Sequence, residues 1–327
     1  MAELKHLSRA KAERNDEFYT PRATVEAAMA PYAQAGYFRG QHLLLPCDDP
    51  AQSEFTRYFA SRFEQLGLSR LVSTCYCRGG RGRYLDLWRQ GGRAHARRGL
   101  FAGSGDFRST EVTALRDQAD LIITNPPFSL MRAFVSWSTG IPPYQYGQRL
   151  PYLRQLAQWY MAPRPRRRVW IIGAVTACTT KTTLDAVRLV PLRVEDLHNC
   201  KFTTPGGVVR SISIFAYTDF SPSLPPKELP LRTLAENLAL GARYRWLYPD
   251  ITHSRKWLKI FPFGLLEVPR SAWLPSDAPG WVAVPLTILP YLPRAQWQLY
   301  GHDDHFLYVA GRGYCFQRLI VRRRAAV

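Results

Sequence analysis

Hydrophobic and polar positions along the chain change period several times, and each change marks an element. Val25, Ala28, Met29 and Tyr32 recur at helical spacing behind Thr20-Pro21, which reads as an N-cap with proline at the first helical position. His42 to Cys47 is an apolar run of strand length. Asp49-Pro50 repeats the cap-plus-proline signal, and Phe55, Phe59, Phe63 and Leu66 carry an apolar helical stripe that Gly67 ends. Leu71 to Tyr76 is a second strand. Residues 78–99 are rich in glycine and arginine, which fits either a mobile loop or a twisted hairpin. After a turn at Gly103–Asp106, Ser109 caps a further helix, and Asp120 to Thr124 is the next strand. Leu130, Ala133, Phe134 and Trp137 return to helical spacing, and strands follow at Arg168–Ala174 and Val208–Tyr217.

Strands alternating with helices predict an α/β fold with a doubly wound, mostly parallel sheet. Two composition changes interrupt it. Residues 138–167, rich in Pro, Tyr and Arg with a helical patch at Leu153, Leu156, Ala157 and Tyr160, read as an insertion. From residue 222 a proline-rich stretch (Pro222, Pro225, Pro226, Pro230) leads into a part rich in Trp, Pro and Arg. The expected organisation is therefore one domain over 1–221 and a smaller C-terminal region over 222–327.

The strongest chemical signal is Asn125-Pro126-Pro127-Phe128, directly after the apolar strand. Open α/β sheets bind ligands at the carboxyl edge of their strands. Proline fixes φ and removes a donor, so this edge is stiff and offers acceptors. The Asn125 amide oxygen and the Pro126 carbonyl suit the two hydrogens of an exocyclic amine, with Phe128 as a surface for the attached ring. Acceptors of this kind gain strength as a transferring nitrogen becomes positive. The plain alternative is a turn after a buried strand.

Charge adds a partner. The 327 residues carry 44 Lys and Arg against 25 Asp and Glu, a net charge of +19. Clusters at Arg78, Arg81 and Arg83, at Arg93, Arg97 and Arg98, at Arg164, Arg166, Arg167 and Arg168, and at Arg322, Arg323 and Arg324 favour a polyanion, because each phosphate neutralised releases counterions. Arginine, rather than lysine, suits phosphate and guanine recognition. No apolar stretch is long enough to span a bilayer, and the charged segment 1–15 is not expected to be a signal peptide. Six cysteines without a Cys-x-x-Cys pair fit reduced thiols in a cytoplasm. His302-Asp-Asp-His305 is expected to be a solvated loop, and no metal is expected.

Several segments line up in order: Asn15-Asp-Glu-Phe-Tyr-Thr-Pro21, Pro46-Cys-Asp-Asp-Pro50 with Ser53 and Phe55, Leu66-Gly67, Leu71-Val-Ser-Thr-Cys-Tyr76, Gly105-Asp-Phe-Arg108 and Asn125-Pro-Pro-Phe-Ser-Leu130. Together they resemble the EcoRI-type adenine-specific DNA methyltransferase family, and Trp281–Ile288 and Gln317–Arg322 resemble its closing segments. The resemblance implies a methyltransferase fold, S-adenosylmethionine as donor, and a flipped-out adenine N6 in double-stranded DNA as acceptor. It also leaves room for a cognate restriction enzyme, with a monomer expected. Asn125, Pro126, Pro127 and Phe128 then match the catalytic motif. Tyr19, Thr20, Pro21, Cys47, Asp48, Asp106, Phe107 and Asn125 fall at the cofactor, and Arg78, Arg81, Arg83, Arg166, Arg167 and Arg168 at the DNA. The second strand departs from the pattern: it ends without an acid for the cofactor ribose, a role that Asp48 or Asp49 can fill. An RNA amino-methyltransferase, or an inactive methyltransferase-like DNA-binding protein, remains as the rival reading. Pro46-Cys47 also matches the thiol of a cytosine-C5 enzyme, a reading that leaves Asn125-Pro-Pro-Phe unexplained.

Overall fold

A computed structural model describes residues 20–145, 148–163, 167–174, 182–183, 186, 192–197, 201–203, 209–211, 214–221, 229–243, 266–268, 271–278, 280–292, 296–301 and 318–324. The chain separates into two compact units, Met1–Leu224 and Pro225–Val327.

The first unit begins with α1 (Arg22–Gln34), β1 (His42–Leu45), α2 (Glu54–Ser61), α3 (Phe63–Leu66), β2 (Arg70–Cys75), β3 (Arg83–Gln90) and β4 (Arg93–Leu100). Then follow α4 (Thr110–Gln118), β5 (Leu121–Thr124), a 3-10 turn at Phe128–Leu130, α5 (Met131–Thr139), α6 (Arg149–Met161) and β6 (Arg168–Ala174). The unit closes with β7 (Arg193–Asp196), β8 (Lys201–Thr203), β9 (Val209–Ser211) and β10 (Ile214–Thr218).

Eight strands form one sheet in the order β4-β3-β2-β1-β5-β6-β10-β7. The central strands β2, β1, β5 and β6 pair parallel. Beyond them β3 and β10 are reversed, and a second antiparallel step returns β4 and β7 to the central direction. The sheet is thus parallel at its centre with antiparallel margins. Alternation along β1 shows why it is buried on both faces. Leu43 and Leu45 join Val25, Met29 and Tyr32 of α1 and Phe55 and Phe59 of α2 in the main core. Leu44 points the other way and packs with Val72 and Ala119, against which Leu115 and Trp137 rest.

Local chemistry corrects three sequence expectations and decides a fourth. Helix α1 starts at Arg22 with Pro21 as its N-cap residue, still extended at ψ 148°, so Thr20 lies outside the helix and does not cap it. Helix α2 is capped by Ser53, whose Oγ accepts from the Thr56 N–H. Asp49 instead closes a turn by accepting from the Ala51 N–H at 2.9 Å. The strand expected over Val208–Tyr217 divides into β9, paired with β8, and β10 in the main sheet. Residues 78–99 hold the hairpin β3–β4, turned at Gly91 and Gly92 with φ of 57° and 75°, where a side chain would be strained. In the segment expected to be an insertion, the helical patch is α6.

The second unit holds α7 (Leu234–Arg243), β11 (Leu266–Glu267), β12 (Trp281–Pro285), β13 (Trp297–Gly301) and β14 (Arg318–Arg323), with sheet order β11-β12-β14-β13. Thr233 and Glu236 form a reciprocal capping box on α7: Glu236 accepts from the Thr233 N–H at 2.7 Å, and Thr233 Oγ1 accepts from the Glu236 N–H at 3.2 Å. Val282, Val284, Leu319 and Val321 form its buried face.

Candidate functional site

The chain passes from β1 to β2 on one side and later returns to β5 on the other side of β1. The strand order therefore switches beside β1, where open sheets place their ligands. A cavity of about 270 Å³ occupies that place, over the carboxyl ends of β2, β1 and β5. Pro46 to Asp49 line it after β1, Tyr76 after β2 and Asn125 after β5. Gly105 lets the loop before α4 close the wall. Its φ is +74°, and an added Cβ would lie 2.4 Å from the Cys75 carbonyl oxygen.

Asn125 is anchored to the segment before α1: its Nδ2 donates to Thr20 Oγ1 at 3.2 Å. Thr20, which the sequence offers as a helix cap and the resemblance offers as a cofactor residue, lines the cavity and does not cap the helix.

Below Asn125 lies a buried polar network. Asp48 is 5% exposed. Its Oδ1 accepts from the Ser53 hydroxyl at 2.7 Å and its Oδ2 from the Thr124 hydroxyl at 2.7 Å. The Asp48 N–H donates to the Thr74 carbonyl at 2.9 Å, and its carbonyl accepts from the Ser73 hydroxyl at 2.5 Å. Burial pushes the Asp48 carboxyl up to about 6, against the pull of the two hydroxyl donors. Asp106 is the opposite case. Arg108 donates to both its oxygens, at 2.9 and 2.6 Å, and holds it below the usual carboxylate range.

The cavity brings together Thr20, Cys47, Asp48, Asp106, Phe107, Asn125 and Pro127 from the expected site. Phe107 is buried against Phe134 and Trp137 of α5. Pro21, Pro126 and Phe128 do not line it. Phe128 is half-buried and rests against the main core. Tyr19 lies outside the described residues, as do Arg166 and His302-Asp-Asp-His305. Sequence reading missed Glu54, Tyr76 and Arg108 in the lining. Tyr76, 51% exposed, stands where the ribose acid was missing. The rule that ligands lie past strand ends was enough to find it.

The expected DNA-facing arginines divide. Arg78, Arg81 and Arg83 are exposed at the root of the β3–β4 hairpin. Arg81 donates to the Phe101 carbonyl, and Arg83 pairs with Asp49. Arg168 is 58% exposed beside Asp219. Arg167 is turned inward: it is 12% exposed, donates to the Ser138 carbonyl at 2.8 Å and reaches Asp117 at 3.2 Å. Burial and the neighbouring Arg116 lower its pKa, so in this structure it ties α4 to α5.

A mixed α/β sheet, parallel at its centre, with a cavity past the carboxyl ends of β2, β1 and β5 fits the methyltransferase fold. Residues 6–87 and 90–139 match the family model described as adenine-specific methyltransferase EcoRI. The chain is 34% identical over 145 residues to the Type II methyltransferase M.EcoRI of Escherichia coli, covering 40% of this chain and 44% of that protein. It is 38% identical over 132 residues to the Type II methyltransferase M.MpnI of Mycoplasma pneumoniae, covering 40% of each. To the Type II methyltransferase M.MgeORF184P of Mycoplasma genitalium it is 31% identical over 132 residues. The aligned part is thus less than half the length of these relatives. No solved structure matches. The resemblance read from the motifs is therefore shared by a family model and by named methyltransferases, over the part of the chain that builds the cavity. Among the described residues no helix is long and apolar enough to cross a membrane.

Proposed function

We propose that this protein is an S-adenosylmethionine-dependent DNA methyltransferase acting on the N6 amine of an adenine flipped out of the duplex. The observation that carries this reading is Asn125, bonded to Thr20 in the lining of a cavity over three strand ends.

The lining suits the donor. In the wall Asp48, Asp49, Glu54 and Asp106 outnumber Arg108, a balance that favours a molecule bearing ammonium and sulfonium charges, and Tyr76 and Phe107 offer surfaces to its adenine. S-adenosylmethionine held here would supply an electrophilic methyl on a sulfonium, so that transfer to the N6 lone pair would exchange a C–S bond for a C–N bond and release a neutral thioether. The chain's own part is to hold the acceptor. The Asn125 amide oxygen and the Pro126 carbonyl take the two amine hydrogens, so that developing positive charge meets fixed dipoles that need no rearrangement. The proton shed after transfer passes to water, since neither carbonyl oxygen is basic enough to keep it. Phe128 is assigned to the extruded base; aromatic stacking offsets part of the cost of leaving the helix.

The duplex is assigned to the arginine-rich hairpin and to the second unit. Residues 78–100 hold seven arginines and one acid. On β4, Arg93, His95 and Arg97 share one exposed face, where His95 stacks on Trp88 with centroids 5.5 Å apart. A two-stranded ribbon of this kind fits a major groove. In the second unit Arg322, Arg323 and Arg324 are exposed, and Arg322 lies over the Trp281 ring at 4.6 Å. That unit is assigned to target recognition.

The test is methyl transfer from labelled donor to unmethylated duplex DNA, with structured RNA in competition. Label in DNA as N6-methyladenine is expected. A folded protein that binds donor but leaves DNA unlabelled would overturn the assignment, and transfer to RNA alone would move it to RNA.

A further inference from the structure

Asp48 is costly. An acid this deeply buried loses its hydration, and hydroxyl donors return only part of that energy. Among the described residues no cation pairs with it: its carboxylate meets the Ser53 and Thr124 hydroxyls alone, both at 2.7 Å. As a mere link between loops, the residue would be less destabilising as a neutral amide.

Its two partners show what the carboxylate joins. Ser53 caps α2 by accepting from Thr56, so one oxygen of Asp48 is tied to the start of that helix. Thr124 is the last residue of β5 and the one before Asn125, so the other oxygen is tied to the foot of the acceptor ledge. The main chain of Asp48 is fixed in turn to β2 through Thr74 and Ser73, and Ser73 is hydrogen-bonded to Thr56 at 2.7 Å. Three neighbouring strand ends and one helix start thus meet at one residue beside the cavity, and its carboxylate joins the helix start to the end of β5.

We infer that Asp48, acting through the Thr124 hydroxyl, is a positioning residue that sets where Asn125 stands relative to the bound donor. This rests on the reading of Asn125 under Proposed function. A displacement of an ångström at a reacting centre lowers turnover steeply while leaving ground-state binding nearly unchanged. The effect belongs in kcat, and it belongs to one hydroxyl.

Thr124→Val removes that hydroxyl at nearly constant shape, and Thr124→Ser keeps it. In the full-length protein with saturating duplex DNA and donor, Thr124→Val is expected to lose about tenfold to a hundredfold in kcat. Its donor affinity by calorimetry should stay within about threefold, and Thr124→Ser should recover most of the kcat. A Thr124→Val enzyme with wild-type kcat overturns the inference, and so does a Ser variant as poor as the Val variant, which would mean that packing alone had failed. A crystal structure of Thr124→Val supplies a readout that needs no turnover. Asn125 still bonded to Thr20 in its original place would overturn the positioning role, whatever the activity. A wild-type protein that methylates no nucleic acid would overturn the assigned activity and leave this structural test standing.

Discussion

Two carboxylates are buried at different places in the same sheet, and the way each is satisfied separates scaffold from site. Glu195, on β7 at the antiparallel margin, accepts from the Tyr32 hydroxyl at 3.1 and 3.0 Å and has the Arg193 guanidinium 3.6 Å away. Burial raises its pKa and also raises that of Tyr32. A charge with a cation and a phenol beside it has a sufficient role in joining α1 to the sheet edge. Asp48, past β1 at the parallel centre, has hydroxyl partners only and borders the cavity. Burial of an acid that no cation offsets concentrates where chemistry is done. The difference therefore points to the Asp48 side of the sheet as the working one.

The largest expected effect is at the residue that the Asp48 network supports. Asn125→Ala should lower turnover by about a thousandfold, the upper range for loss of one preorganised polar group at a developing charge. Its donor affinity should change only a few-fold. Single-turnover transfer to saturating DNA measures this, and an Asn125→Ala enzyme of near wild-type rate would remove the reason for treating the two regions differently.

Next comes the pH dependence of stability. Asp48 binds its proton more tightly in the folded protein, at about 6, than unfolded, at 3.8. The protein therefore loses stability through this group as pH rises from about 4 to about 6. Asp48→Asn has no charge to bury and escapes that loss. Its stability relative to wild type should rise between pH 4 and pH 7, by at most about 3 kcal/mol for a shift of roughly two units. Urea unfolding at the two pH values reads it, and an unchanged difference would mean that Asp48 is not the desolvated acid described.

Glu195→Gln is the counterpart. It should cost about 1–3 kcal/mol of stability, the usual penalty for disturbing a buried polar pair, with turnover per folded molecule unchanged. A fall in kcat matching that of Thr124→Val would erase the contrast between the two carboxylates.

The smallest effect sharpens the assignment of surfaces. Replacing Arg93, Arg97 and Arg98 with alanine should flatten the log-log salt dependence of DNA affinity by about 3, near 0.9 for each phosphate no longer neutralised. Replacing inward-turned Arg167 should lower stability and leave that slope alone. Equal slopes for both variants would contradict the division of the arginines.

Much of this was legible in the sequence because burial on both faces writes itself as an apolar run. Leu43 to Leu45, Leu121 to Thr124 and Arg168 to Ala174 form strands where the apolar runs place them, and with them come the strand ends and Asn125. What escaped depended on contacts between distant segments. Asp49-Pro50 and Thr20-Pro21 have the composition of helix starts, yet Ser53 caps α2 and the Thr20 hydroxyl serves Asn125, 105 residues away. Arg167 sits within a surface-like charge run, and only the packing of α4 and α5 turns it inward. The β3–β4 hairpin lacks clean alternation because both faces of its outer strand are exposed, so its period is silent. Thr124 looks like the end of a strand and no more, and its bond to Asp48 spans 76 residues.

The central claim is most directly tested by nucleoside analysis of DNA from cells producing the full-length protein, compared with cells producing Asn125→Ala. N6-methyldeoxyadenosine present with the wild-type protein and absent with the variant is the expected result. Equal N6-methyldeoxyadenosine in both, or none with a folded wild-type protein that binds S-adenosylmethionine, would contradict it.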